Sequence, residues 1–282
     1  MAKFQLLHQY LNAHGLADPG QMHQPLSAPR RWLELVHPRG YHQAFALQQL
    51  DRAAQRRIGL PINPAVIRRT WLAVGGTVLT ARLALRHGLA CHLAGGTHHA
   101  FPAMGSGFCI FNDVAVAAKV LMQDEGITQL MVIDLDVHQG DATATIFADD
   151  PRVITVSVHA ANNFPLRKAL SDLDVALPDG LDDDGYLGAI GDQLPALLDR
   201  HQPQMVLYNA RVDPHQEDRL GRLALSDAGL RQRDHLVIDA CLRRQIALAT
   251  VIGGGYDNLN TLVARHGIVF RAAREEARLH GL

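Results

Sequence analysis

Five short apolar runs, at residues 90–94, 130–137, 152–158, 204–209 and 247–252, punctuate the chain, and amphipathic stretches of helical length separate most of them. Continuously apolar runs of this length read as strands buried on both faces. Strands that alternate with helices build a mostly parallel sheet covered by helices on either side. The helical segments carry their own signals. Phe4, Leu6, Leu7 and Leu11 form a stripe within 2–13 ahead of Gly15, and a long helical pattern fills 60–88 behind Pro61 and Pro64. Asn112 or Asp113 can cap a helix running toward Gly126, and Ser226 with Asp227 can open another, because short polar side chains accept the free N–H groups of a first turn. The expectation is an α/β chain in three layers. With no repeat, low-complexity segment or Pro/Gly/Ser-rich linker, residues 1–282 read as one domain, and the acidic, turn-rich segment 171–185 reads as a solvated surface loop.

Composition narrows the function classes. The formal charge is −1, and of 27 basic residues only Lys3, Lys119 and Lys168 are lysines; the arginines are scattered, so no basic stripe exists to track a phosphate backbone. Nucleic acid is therefore not an expected partner. No run approaches the about 18 consecutive apolar residues of a membrane span. The opening MAKFQLLHQYLNAHG is polar where a signal peptide would be apolar, so neither membrane insertion nor export is expected. Cys91, Cys109 and Cys241 are odd in number, far apart and without a Cys-x-x-Cys pair, which fits a reducing cytoplasm and argues against a disulfide framework or zinc finger. The 16 histidines, several beside aspartates, nominate metal chemistry instead.

The sharpest segment is MVIDLDVHQGD, residues 131–141. As a strand it would place Asp134, Asp136 and His138 on one face and Ile133, Leu135 and Val137 on the other. Two carboxylates and an imidazole buried together need a cation or a dense hydrogen-bond network. A blander reading has the aspartates capping the next helix and His138 satisfied in a loop. Ligands of open α/β sheets collect at the carboxyl ends of strands, where four more polar loops are expected: THH (97–99), SVH (157–159), the Asn209 to Asp213 loop within YNARVDPH, and GGGY (253–256). Asp136, His138 and Asp213 would make a two-carboxylate, one-imidazole set with a position left open for water and substrate, the design of a catalytic metal site. His98 and His99, if both approach a bound water, each need a carboxylate behind the second ring nitrogen, and Asp134 and Asp141 are unassigned. Tyr256, after three glycines, is placed to donate to a developing oxyanion, or is simply a tyrosine on a flexible turn.

The segments LAGGTHHAFPAMGSGFCIFND (93–113), VIDLDVHQGD (132–141), VSVHAANNFP (156–165), YNARVDPHQEDRLGRL (208–223) and GGGY (253–256) together resemble, in order and spacing, the zinc-dependent histone deacetylase family, nearest its small bacterial and class IV-like members. The resemblance implies the arginase/deacetylase-like three-layer fold, with a Zn²⁺ or Fe²⁺ ion held by Asp136, His138 and Asp213. It implies His99 as general base and acid oriented by Asp141, His98 as a hydrogen-bonding partner oriented by Asp134, and Tyr256 as donor to the substrate carbonyl. It implies K⁺ at the Asp134, Asp136, His138, Ser157 and Val158 positions, several through backbone carbonyls. Gly107, Phe108 and Phe164 match the substrate tunnel wall, and Gly254 joins them as a substrate-binding residue; core packing is an equal reading for Phe164. Cys109 reads as a small buried residue.

Two departures stand out. Residue 211 is Arg where the family has Gly, which predicts backbone strain if positive φ is required there, and a guanidinium in reach of Asp213 that competes with metal. The chain also begins at its first helix, without the strand and the basic residue behind the metal that relatives carry, which predicts an exposed sheet edge and homo-oligomer formation. The implied activity is metal-promoted deacylation of acyl-lysine side chains. Hydrolysis of small acylated amines such as acetylpolyamines is the alternative, and a weakened or silent acyl-lysine-binding module is a third reading.

Overall fold

The computed structural model describes residues 2–191 and 193–282. Strands β1 (Leu89–Cys91), β2 (Leu130–Asp134), β3 (Val153–Ala160), β4 (Leu173–Leu177), β5 (Met205–Asn209) and β6 (Ala247–Val251) form one sheet in the order β1-β6-β5-β2-β3-β4. Every pairing is parallel. The carboxyl ends of all the strands therefore open on the same side.

Alternation along each strand divides the apolar residues between two cores. Met131, Ile133, Val156, Val206, Tyr208 and Leu248 face one layer of helices. That layer holds α1 (Ala2–Ala13), α8 (Asp183–Gly191), α9 (Gln193–His201), α10 (Asp227–Leu242) and α11 (Leu259–Leu279). Leu130, Val132, Val153, Leu207, Ala249 and Val251 face the other. There lie α2 (Arg30–Leu33), α3 (Arg39–Ala46), α4 (Arg52–Ile58), α5 (Pro64–His87), α6 (Asp113–Asp124) and α7 (Asp141–Phe147). The expected three-layer arrangement is thus built from strands that are apolar on both sides, as parallel sheets require.

The caps follow from local chemistry. The Asn63 side chain accepts from Val66 N with Pro64 in the first turn, and α5 ends at Gly88 with φ 84°. Asn112 caps α6 through Ala115 N, and Ser226 caps α10 through Gly229 N. Two expectations are corrected. The segment 171–185 is not wholly a loop: Leu173, Val175 and Leu177 alternate along the edge strand β4, and the acidic composition hid this period. Asp172 is spent on Thr155 N and Oγ1, and Asp174 on Ser171 N and Gln139 Nε2. The strand expected over 130–137 stops at Asp134, although Leu135 and Val137 still pack in the core beyond it. The outermost strand β1 is only three residues long and partly buried throughout. Among the described residues no helix is long and apolar enough to cross a membrane.

One buried carboxylate fixes the loop after β1. Asp113, fully buried at the start of α6, accepts from Gly96 N at 3.0 Å, Thr97 N at 2.7 Å and Thr77 Oγ1 at 2.5 Å, and it also contacts Thr97 Oγ1. Replacing it with alanine leaves several buried donors unpaired. Asp113→Ala should lose about 3 kcal/mol of stability in urea denaturation, and a loss within the range of a surface substitution would show that the loop is held by other contacts.

Candidate active site

Five loops at the carboxyl ends of the strands meet at one point. After β2 the chain turns as Asp134 Oδ1 accepts from Asp136 N (3.2 Å) and from Asn209 Nδ2 on β5 (2.9 Å). These bonds tie adjacent strands where the register pairs Asp134 with Asn209 on one side and Ser157 on the other. The turn brings Asp136 and His138 inward, and the loop after β5 brings Asp213; the three present ligand atoms within 4.8 Å of one another, all buried. His138 Nδ1 lies 2.8 Å from Asp136 Oδ1 and 3.8 Å from Asp213 Oδ2.

Behind this cluster sits the histidine pair, its rings 4.0 Å apart. His98 Nδ1 is 2.6 Å from Asp134 Oδ2, and His99 Nδ1 is 2.7 Å from Asp141 Oδ1. A carboxylate only accepts, so each Nδ1 carries the proton and each Nε2 is left for the site. His98 Nε2 faces Asp136 Oδ2 at 3.3 Å. Burial opposes a charge on His98, but Asp134 and Asp136 outweigh it and raise its pKa. His99 is pushed down to about 4 by burial and then by the neighbouring His98, against the pull of Asp141. The two rings thus differ: one favours the proton and the other stays free to take one.

Tyr256 stands across from them, its ring 5.7 Å from that of Phe108 and its backbone N–H held by Asp218 Oδ2 at 2.7 Å. Burial lifts the phenol far above its ordinary pKa, with Arg211 opposing, so it stays protonated and is able to donate. Gly254, at φ 57°, closes the floor: a Cβ there would lie 2.0 Å from Asp213 Oδ2, so only glycine allows this approach. Gly107, at φ 51°, lies against His99, where a Cβ would meet its Cδ2 at 2.8 Å. Phe108 and Phe164 are both 43% exposed, and the Phe164 ring stands edge-on to His99 at 4.9 Å. Of the residues expected to hold a monovalent cation, Asp134, Asp136, His138 and Ser157 lie together, with Gly140 N donating to Ser157 Oγ at 3.4 Å. Val158, on β3, packs its side chain into the core.

Two expectations about this region are corrected. Arg211 is not in the left-handed region, so no strain of that kind arises. Its guanidinium is buried among the carboxylates, with Nε against Asp136 Oδ2 and 3.7 Å from Asp213 Oδ2, and with Nη1 donating to Gly96 O at 2.9 Å. Two carboxylates share this one cation. Burial is outweighed at Asp136, which Arg211 holds well below its ordinary value, while burial and Asp136 push Asp213 up to about 7. The basic group expected to be missing is also present: Lys3 on α1 reaches the glycine loop and donates to Gly254 O at 2.5 Å. Burial, then Arg211, lowers Lys3 to about 7.

Sequence reasoning missed Arg233, a fully buried arginine on α10. It donates to Leu135 O (3.3 Å) and Arg211 O (2.7 Å), the carbonyls that precede the two ligand-bearing turns, while its other face pairs with Asp234. Nothing in its helical sequence context marks it. Asp218 and Asp113 were also missed, although both lie inside motifs already singled out.

The residues fit a divalent transition metal. Asp213 Oδ2 and His98 Nε2 are buried without hydrogen-bond partners, Asp136 Oδ2 has the ionic contact of Arg211, and two carboxylates with one imidazole are a donor set such an ion takes. Arg211 contends for the same oxygens.

The chain is similar to several known proteins. A family profile described as the histone deacetylase domain matches residues 1–270. An uncharacterized protein of Picosynechococcus sp. is 52% identical over 276 residues, covering 98% of this chain and 92% of that protein. Histone deacetylase 2 of Arabidopsis thaliana is 29% identical, with 88% of this chain and 66% of that protein covered. The crystal structure of an HDAC homolog from Aquifex aeolicus superposes with a TM-score of 0.80 at 25% identity, over 98% of this chain and 77% of that one.

Removing the contending cation should strengthen metal binding. Arg211→Gly is expected to raise Zn²⁺ affinity by about ten-fold or more, measured by competition with a chromophoric chelator, and equal affinities would discard the competition. Lys3 gives a pH signature. Between its folded value of about 7 and the ordinary 10.5 the unfolded chain holds a proton that the folded chain lacks, so burial of Lys3 costs stability at low pH and less as pH rises. Lys3→Met should therefore be more stable than the parent below pH about 7 and lose that advantage toward pH about 10; urea midpoints across this range test it.

Proposed function

The chain belongs to the histone deacetylase family, and on that premise we propose that it is a metal-dependent hydrolase of acyl-lysine side chains. The observation that carries the reading is the convergence of Asp136, His138 and Asp213 beside two histidines, each backed by its own carboxylate. In this reading Asp136, His138 and Asp213 would hold Zn²⁺. Such an ion supplies Lewis-acid polarisation of the amide carbonyl and makes water more acidic.

The chain's own groups would do the rest. His99, neutral and fixed by Asp141, takes one proton from water at Nε2 as the water oxygen bonds to the carbonyl carbon. Tyr256 donates to the carbonyl oxygen as negative charge develops there. The C–N bond then breaks while a protonated imidazole of the pair gives its proton to the leaving amine, and the carboxylic acid departs after it. Asp134 and Asn209 hold the turn that carries Asp136, so the proton carriers and the ligands keep a common frame.

The mouth favours an acyl-lysine over a cationic polyamine. Phe108 and Phe164 offer two half-exposed aromatic faces suited to a neutral aliphatic stem. Much of the acidic stretch that would attract a polyamine is bonded within the chain. Asp172 and Asp174 are bonded as described, Asp179 pairs with Arg222, and Asp183 accepts from Ser226 N and Oγ. The contact of Arg211 with Asp136 makes metal loading a limit on turnover in this reading.

Zinc-loaded protein should hydrolyse an acetyl-lysine peptide faster than an acetylpolyamine, and chelation should abolish the activity. Tyr256→Phe is expected to lower kcat by about 10²–10³ and His99→Ala by about 10²–10⁴. A metal-loaded protein that turns over no member of a panel of acetyl-lysine, long-chain acyl-lysine and acetylpolyamine substrates would overturn the enzymatic reading.

A further inference from the structure

A second group of metal-ligand side chains lies at the opposite end of the sheet, where α10 leads into β6. Asp239 on α10, with Glu276 and His280 one turn apart at the end of α11, places ligand atoms within 4.8 Å of one another. His280 Nε2 is 3.1 Å from Asp239 Oδ1 and 3.6 Å from Glu276 Oε2. For comparison, donors about 2.0–2.1 Å from a tetrahedral ion stand about 3.3 Å apart.

Hydrogen bonding does not account for this arrangement. Glu276 is only 5% exposed, and its Oε2 is buried without a partner while aimed at His280. An imidazole Nε2 carries at most one hydrogen, so it cannot satisfy Asp239 and Glu276 together. Asp239 already has a cation in the surface residue Arg243, whose Nε lies 2.7 Å from Oδ1. Glu276 has no arginine or lysine against Oε2. Its other oxygen, Oε1, is 2.6 Å from His235 Nδ1, and His235 Nε2 is 2.9 Å from Glu275 Oε2. A bare, buried carboxylate oxygen facing an imidazole nitrogen and a second carboxylate is what a divalent cation resolves, and imidazole with carboxylates suits Zn²⁺.

We propose that Asp239, Glu276 and His280 form a second, structural Zn²⁺ site that clips α10 to α11, with water completing the coordination. His235 acts as a positioning residue by holding Glu276 from behind. The site is remote from the deacetylase centre and independent of its chemistry.

The test counts zinc. Metal-stripped protein is titrated with Zn²⁺ against a chromophoric chelator, and urea midpoints are measured with and without the ion. One equivalent should be lost in both His280→Ala and Glu276→Gln and retained in Asp213→Asn, and His235→Ala should weaken it by about ten-fold. Zinc should raise the urea midpoint of Asp213→Asn but not of the double variant Asp213→Asn/Glu276→Gln. Glu276→Gln keeps the side-chain shape, so it reads the site even if His280→Ala disturbs the helix end. The proposal fails if every equivalent disappears with Asp213→Asn, or if the count is unchanged in Glu276→Gln.

Discussion

Asp136 and Asp213, buried side by side beyond the ends of neighbouring strands, must share a positive charge, and much of the molecule is arranged around that need. A parallel sheet makes the juxtaposition available, since it delivers the carboxyl ends of β2 and β5 to the same edge at adjacent positions. Two negative charges withdrawn from water at such a distance are unfavourable by several kcal/mol unless a cation compensates them. The protein contains one compensator in Arg211, and its donor geometry fits a second, a metal ion. A metal bound there would contend with Arg211 for the same oxygens, so its affinity would depend on how readily the guanidinium yields.

Around the carboxylates the remaining polar groups divide the work by what each is able to accept or donate. Asp134 and Asp141 each fix one ring nitrogen of a histidine, which leaves the opposite nitrogen facing the cluster. Asp113 secures the backbone just ahead of the pair, and Asp218 secures the backbone of Tyr256. Each of these aspartates is bonded to a group on a different segment of the chain. The site is therefore assembled from loops that are individually irregular but mutually pinned.

The sheet was legible because its strands are short, apolar and separated by helices with ordinary capping residues such as Asn112 and Ser226. The candidate site was legible because its residues cluster in motifs of fixed spacing. What escaped the sequence is long-range or masked. The period of β4 is hidden by acidic neighbours, and the reach of Lys3 to Gly254 spans 251 positions. Arg233 looks like any helical arginine until its partners are seen. The position of Arg211 was read correctly as near Asp213, but its closer contact with Asp136 and its unstrained backbone depend on packing that no local pattern encodes.

The Arg233 guanidinium joins the carbonyls of Leu135 and Arg211, and thereby welds a helix of the outer layer to both turns that present the carboxylates. Loosening α10 from the sheet would release those turns with it, so opening of the carboxylate cluster is coupled to movement of this helix. Heat should for this reason loosen α10 and the two carboxylate-bearing turns together.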